Sequence, residues 1–406
     1  MYVALKSVPD WLRSLTIALL CMPAVVSAQG LIDIHPYVSG ALTYDDNIFR
    51  FSSPQQAKVV LGSSAMSDVI TREEAGVAVM VTPGRQKLSL DMSLNRSQFN
   101  RFSFLNNSGL DGKAAWNWQL GSRLNGELSF SRTESMAGFT EIRNPVLNMR
   151  TLDTQLARLN WEVSPGWTVD VLRRKLTQEN ALSLYRTLDY ENVTYEAGVQ
   201  YLSGLGNQLG ATVSNVDIAY AQRARPSPGA TISDDNNQKN LALDGVWWAT
   251  AKIRLTGHLG FYHRSYEDLP QRNSSGDNKR MAVDWTPTGK IMLNAAVWQE
   301  STGLADLAGT FVNTEGWSVS PAWTVTSKIL LRGDFQKDTR AYEGGAASAV
   351  QRADDSRKAG ISLIYNPLPR IQAMGSWQSE RRKSNQALWS YDDQTIMTNV
   401  KIDFDF

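Results

Sequence analysis

The chain has 406 residues, with 41 Lys and Arg against 40 Asp and Glu, a net charge of +1 and a mean hydropathy of −0.31. So balanced a charge lacks the basic stripe of a nucleic-acid binder, and no nucleic-acid partner is expected. Beyond the N-terminal segment no stretch reaches about 18 apolar residues, which excludes helical membrane spans.

Residues 1–28 read as a secretory signal peptide. Lys6 and Arg13 flank an apolar run from Leu15 to Val26, and Val26-Ser27-Ala28 offers small residues for cleavage before Gln29. Cys21 would suit a lipid anchor, but the bulky Leu20 stands where that signal needs a small residue. Cleavage removes this only cysteine together with Lys6, Arg13 and Asp10, so 41 basic and 40 acidic residues become 39 of each. A mature chain without cysteine has no internal disulfide, thiolate metal site or thiol nucleophile.

Residues 29–406 read as one domain. A first strand is expected over Ile34 to Tyr44, followed by eight hairpins at intervals of about 37 to 45 residues. Their turns are Thr82-Pro83-Gly84, Leu120-Gly121-Ser122, Ser164-Pro165-Gly166, Gly204-Leu205-Gly206, Ala249-Thr250-Ala251, Pro287-Thr288-Gly289, Val325-Thr326-Ser327 and Pro367-Leu368-Pro369. An aromatic precedes seven of them: Trp118, Trp161, Tyr201, Trp247/Trp248, Trp285, Trp323 and Tyr365. Such a ring belongs at the periplasmic headgroup level.

Within each hairpin the side chains alternate with period two. Leu88, Leu90, Met92 and Leu94 oppose Lys87, Ser89, Asp91 and Ser93; Leu124, Gly126, Leu128 and Phe130 oppose Arg123, Asn125, Glu127 and Ser129. Ile329, Leu331, Gly333 and Phe335 oppose Lys328, Arg332 and Asp334. A Lys or Arg on the apolar face would cost about 2–4 kcal/mol at mid-bilayer, so the register is well determined. A last strand, Gln394 to Phe406, ends on an aromatic that resembles the C-terminal assembly signal of outer-membrane barrels. The fold class is therefore all-β: a transmembrane antiparallel β-barrel of about 18 strands, with 16 as the alternative. It has short periplasmic turns and longer extracellular loops, and its lipid partner is the bacterial outer membrane.

A ring of this size holds an aqueous pore unless plugged. Its predicted lining is mixed: Lys87, Arg123, Arg254 and Arg332 with Asp91, Glu127, Glu196, Asp334 and Glu380. Many Ser, Asn and Gln share these faces, and their hydroxyls and amides suit sugars, although any wet pore has such a wall. Outer loops are expected near 46–72, 99–109, 135–150, 179–190, 221–238, 266–276, 302–312, 341–354 and 383–391. The first is the longest and reads as a surface loop, with an inward-folded constriction as the alternative. Asp234 to Asn237 offers oxygen ligands for calcium, but a solvated loop needs no ion, and neither metal nor cofactor is expected. Of the three histidines, His35 starts the first strand, His258 faces the lumen, and His263 lies at the outer rim near Ser265, Glu267 and Asp268. No motif makes that group catalytic, so the reading is not an enzyme.

The first mature segment reads His35-Pro36-Tyr37-Val38-Ser39, then Tyr44-Asp45-Asp46-Asn47-Ile48-Phe49-Arg50. This "PYV…YDDNIFR" pattern resembles the EpsL-type outer-membrane proteins of exosortase-linked exopolysaccharide systems. The likeness is sharp over residues 35–50 and architectural thereafter. It implies a conduit exporting a polysaccharide, with periplasmic and inner-membrane export components as partners, and it carries no catalytic residues. From the residues alone, Asp45, Asp46 and Asn47 end a strand and open a loop, where a structural role outweighs ligand binding. The reading is therefore an outer-membrane channel for export of an extracellular polysaccharide; the alternative, resting on the barrel alone, is a general or sugar-uptake porin for small solutes.

Overall fold

The computed structural model describes residues 32–222, 225–227, 230–303, 311–343 and 351–404. The expected signal peptide and the terminal Phe406 lie outside these described residues. The first nine strands are β1 (Ile32–Asp45), β2 (Asp68–Val81), β3 (Lys87–Phe99), β4 (Asn107–Leu120), β5 (Leu124–Met136), β6 (Met149–Ser164), β7 (Trp167–Asn180), β8 (Tyr190–Leu202) and β9 (Gln208–Ala219). A short ribbon, β10 (Arg225–Ser227) with β11 (Ala230–Ile232), stands apart in the loop that follows. Then come β12 (Asn236–Thr250), β13 (Ile253–Tyr266), β14 (Ser274–Thr288), β15 (Ile291–Gly303) and β16 (Phe311–Thr326). The last four are β17 (Ile329–Glu343), β18 (Ala353–Leu368), β19 (Ile371–Ser384) and β20 (Tyr391–Asp403).

Eighteen of these strands pair antiparallel, each with its chain neighbour, and β1 closes the ring on β20. No edge is left, which hydrocarbon requires because an open edge would leave backbone groups unpaired. The eight short turns fall within a residue or two of the expected tripeptides. At Pro287 and Pro367 the strand runs on past the aromatic through a register shift, so each proline sits at a bulge rather than in the ladder. The turns also brace one another: Lys252 Nζ donates to Pro287 O at 2.9 Å and Lys328 Nζ to Pro367 O at 2.7 Å.

The register confirms the two faces. Leu88, Leu90, Met92 and Leu94 are all exposed on the outside, as are Ile361, Leu363, Ile396 and Val400. Trp161, Tyr201, Trp247, Trp285, Trp323 and Tyr365 are exposed on that outer face, above the periplasmic turns. Trp248 is the exception to the predicted aromatic pair, because it points inward and lies 5.8 Å from the Arg254 guanidinium. At four strand glycines a directly paired aromatic covers the gap. Tyr37 lies against Gly76, Trp118 against Gly126, Tyr262 against Gly276 and Trp298 against Gly316.

Candidate functional site

The inner wall carries most of the predicted lining. Register places Asp91, Glu127, Glu196, Arg254, Arg332, Asp334 and Glu380 inward, with Lys87 at the start of β3. Arg123 lies in the turn before β5 rather than on the wall. Inward polar groups are joined across strands: Arg254 Nη2 meets Asp284 at 2.6 Å, and His258 Nδ1 meets Asp244 at 2.7 Å. Trp298, unpredicted on this face, lies 5.1 Å from the Arg280 guanidinium.

The predicted rim group does not assemble around His263. Its Nδ1 meets Ser275 Oγ at 2.8 Å on the outward face, while Asp268 accepts from the Ser233 amide at 2.7 Å. Nor is the Asp234–Asp235 pair open for calcium. Asp234 Oδ1 takes Arg272 Nη1 at 2.9 Å, and Asp235 Oδ1 takes the Tyr220 amide at 2.7 Å.

The first loop corrects the surface reading. Phe49 and Phe51 are buried in it beside Ile48 and Ala57. They pack on Phe99, on Phe102 and Leu105 of the β3–β4 loop, and on Phe139 of the β5–β6 loop. Phe99 pairs with Ile70 on the inward face, so this aromatic cluster fills one side of the outer mouth. A helix, α1 (Pro54–Leu61), roofs it. Ser53 caps that helix by accepting from the Gln56 amide at 3.2 Å, proline starts it, and Gly62 at φ 72° stops it.

The motif residues anchor the same loop to the β1–β20 seam. Asn47, 1% exposed, donates to Phe51 O and Asp392 O, both at 2.9 Å, and accepts from the Phe51 amide at 2.9 Å. The Asp46 amide donates to Gln394 O at 3.1 Å, extending the ladder by one rung, and its carboxylate accepts from the Gln394 amide at 2.8 Å. Arg50 sits at φ 58° and bridges Asp45 and Asp393, each at 3.0 Å. Burial alone would lower its pKa, but those carboxylates outweigh it and hold the guanidinium above its ordinary value. Tyr44 points outward and is exposed, whereas Phe49 is wholly buried against Phe102 and Phe139 at ring distances of 4.9 and 4.7 Å.

From Phe139 the β5–β6 loop runs across the mouth to the far wall. Its anchor strands β5 and β19 are six positions apart in the ring, so the loop spans a chord. Glu141 meets Arg352 and Arg382 at 3.1 Å each and Arg340 at 3.9 Å. Arg143 donates to the carbonyls of Leu388 and Trp389. Four guanidiniums (Arg143, Arg340, Arg352, Arg382) thus crowd against three carboxylates (Glu141, Asp338, Asp354).

Aromatic rings pack against these cations. Trp389 has Arg143 at 5.0 Å and Arg352 at 3.8 Å from its centroid, and Tyr391 has Arg143 at 5.1 Å and Arg382 at 5.2 Å. Burial, with Arg382 and Arg352 beside it, still lowers Arg143 to about 10, leaving it charged at neutral pH. Arg352 moves the other way: burial opposes its charge, but Asp354 and Glu141 raise it. Glu380 belongs to this group rather than to an open wall. It is 7% exposed, accepting from Tyr391 Oη at 2.8 Å with Lys358 Nζ at 3.5 Å.

This cluster latches the β5–β6 loop across the mouth, and it was missed in sequence. Its signal is charge at i, i+2 on inward positions at the outer strand ends, Asp338/Arg340, Arg352/Asp354 and Glu380/Arg382. No pattern in sequence links these to Glu141 and Arg143.

A closed ring of eighteen strands with an apolar belt, a turn-side aromatic girdle, a polar inner wall and an inward loop decides the architecture. The fold is that of outer-membrane porins. A family model described as "Putative beta-barrel porin 2" matches residues 249–404. The crystal structure of Pseudomonas aeruginosa OccK9 (OpdG) aligns with a TM-score of 0.52 at 10% identity, covering 92% of this chain and 98% of that one. A BenF-like porin from Pseudomonas fluorescens Pf-5 aligns at 0.51 and 10% identity, covering 92% and 99%. No curated protein matches the chain. The barrel stands in the bacterial outer membrane, its periplasmic end marked by the aromatic girdle above the short turns.

Proposed function

We propose that the barrel is a non-enzymatic, passive channel for small hydrophilic solutes. The single observation that carries this reading is the constriction. A continuous polar wall is narrowed at its outer mouth by a loop held across it, an arrangement that suits sieving of small molecules. Planar-bilayer recording with liposome swelling tests it: discrete conductance steps and entry of small sugars or acids are expected, and an electrically silent barrel would overturn it.

The alternative is polysaccharide export with periplasmic partners, and it rests on the resemblance over residues 35–50. In that segment Asp45, Asp46, Asn47, Phe49 and Arg50 all have partners that close the seam and seat the first loop, so their chemistry needs no sugar. Deleting the gene separates the readings: lost surface polysaccharide with unchanged solute uptake would favour export.

A further inference from the structure

On the outer face, Trp317 and Trp323 of β16 are both exposed, Trp323 beside the periplasmic turn and Trp317 nearer the extracellular end. Trp317, the extracellular one, pairs directly with Lys337, Lys337 with Arg357, and Arg357 with Arg381. The row begins one step above the apolar Phe335 and climbs away from Ile361 and Trp377 as the strands tilt. Like charges directly opposite each other on a sheet repel, so three in a row need a counter-charge. Asp355 reaches only part of it, at 3.7 Å from Lys337 and 3.4 Å from Arg357, and Asp392 lies 3.1 Å from Arg381. Lys383, opposite Asp355, adds a fourth cation, and Glu315, opposite Thr339 on the same face, a third carboxylate, leaving four cations against three carboxylates.

Elsewhere on the outer rim the cations stand singly across strands, several of them against a carboxylate. Arg132 meets Asp153 at 2.6 Å, Lys175 meets Glu191 at 2.7 Å, and Arg96 pairs across strands with Glu73. Among the described residues, no other outward cross-strand pair sets Lys or Arg against Lys or Arg. We infer that the row Lys337–Arg357–Arg381 binds phosphate groups of an anionic glycolipid of the outer leaflet. The row lies where the apolar outer belt of Phe335 and Ile361 gives way to charge, and its side chains are exposed there. Guanidinium forks suit phosphate oxygens, and a bridging phosphate removes the repulsion that a sheet would otherwise carry.

The test refolds the full chain into vesicles containing phosphorylated lipid A, or the same lipid with its phosphates removed. Wild type should bind the phosphorylated lipid preferentially. Lys337→Ser/Arg357→Ser/Arg381→Ser should bind it at least about tenfold more weakly, as expected for three basic residues at a membrane surface. Arg132→Ser, which removes a cation already paired with Asp153, should keep the preference. Heat-modifiable migration on gels reports that each variant is folded. If the triple variant fails to fold, Arg357→Gln alone should weaken binding about fivefold. An unchanged preference in the folded triple variant overturns the inference. So does an equal loss in Arg132→Ser, or equal stabilisation by free inorganic phosphate in zwitterionic vesicles.

Discussion

Glu141→Gln isolates the latch in one substitution. The wild-type carboxylate meets Arg352 and Arg382 at 3.1 Å, and Arg382 is wholly buried. Without it, Arg382 keeps only Asp354 at 3.6 Å as a charged partner, and among the described residues its Nε and Nη2 already lack hydrogen bonds. Removing one partner from a buried charge costs about 3–5 kcal/mol. Glu141 is itself one-quarter exposed, so the lower end applies, and about 3 kcal/mol shifts a docked-to-released equilibrium by roughly 150-fold. The strands themselves remain paired, so the barrel stays inserted while the loop swings out. Single-channel recording should show larger and noisier conductance, and hydrogen exchange should lose protection over residues 137–148. Wild-type conductance together with unchanged loop protection would refute the latch.

Arg143→Gln should release the loop less than Glu141→Gln, because the docked guanidinium already bears repulsion from Arg382 and Arg352; comparing the two conductances checks the order. Since docking lowers Arg143 to about 10, the docked loop binds fewer protons above that pH. Raising the pH from 9 to 11 should therefore favour docking through this group, read as smaller conductance in wild type and no such trend in Arg143→Gln. Asn47→Ala strands a buried amide and two carbonyls beside the seam, and a loss of about 1–3 kcal/mol should lower the temperature of gel-shift unfolding. Ile361→Arg on the lipid face should cost about 2–4 kcal/mol and impair insertion. Arg332→Ser on the inner wall should leave insertion intact and change only ion selectivity, measured as reversal potential.

Much of this fold was legible in the order of residues. In β3, four apolar side chains alternate with Lys87, Ser89, Asp91 and Ser93, and hydrocarbon tolerates only one assignment of those faces. The tripeptides containing Pro83, Gly121 and Gly166 located the turns. With the first and last strands added, they also gave the number of strands in the ring. The faces of Asp91, Glu127, Arg254 and Arg332 followed from the same alternation. Trp248 escaped because two adjacent tryptophans cannot share a face, and only the pairing with β13 says which one turns inward.

The candidate site was less legible, because loops carry no period. Phe49, Phe51, Phe102 and Phe139 come from three loops, and Glu141 finds Arg352 and Arg382 more than 200 residues away. What the order of residues decided by itself was the two-faced strand, since burial in lipid acts on each side chain separately and period two sorts them. Only the closed tertiary structure decided where the loops go and which charges meet. Those contacts exist only once the ring has brought β5 and β19 to opposite ends of one chord.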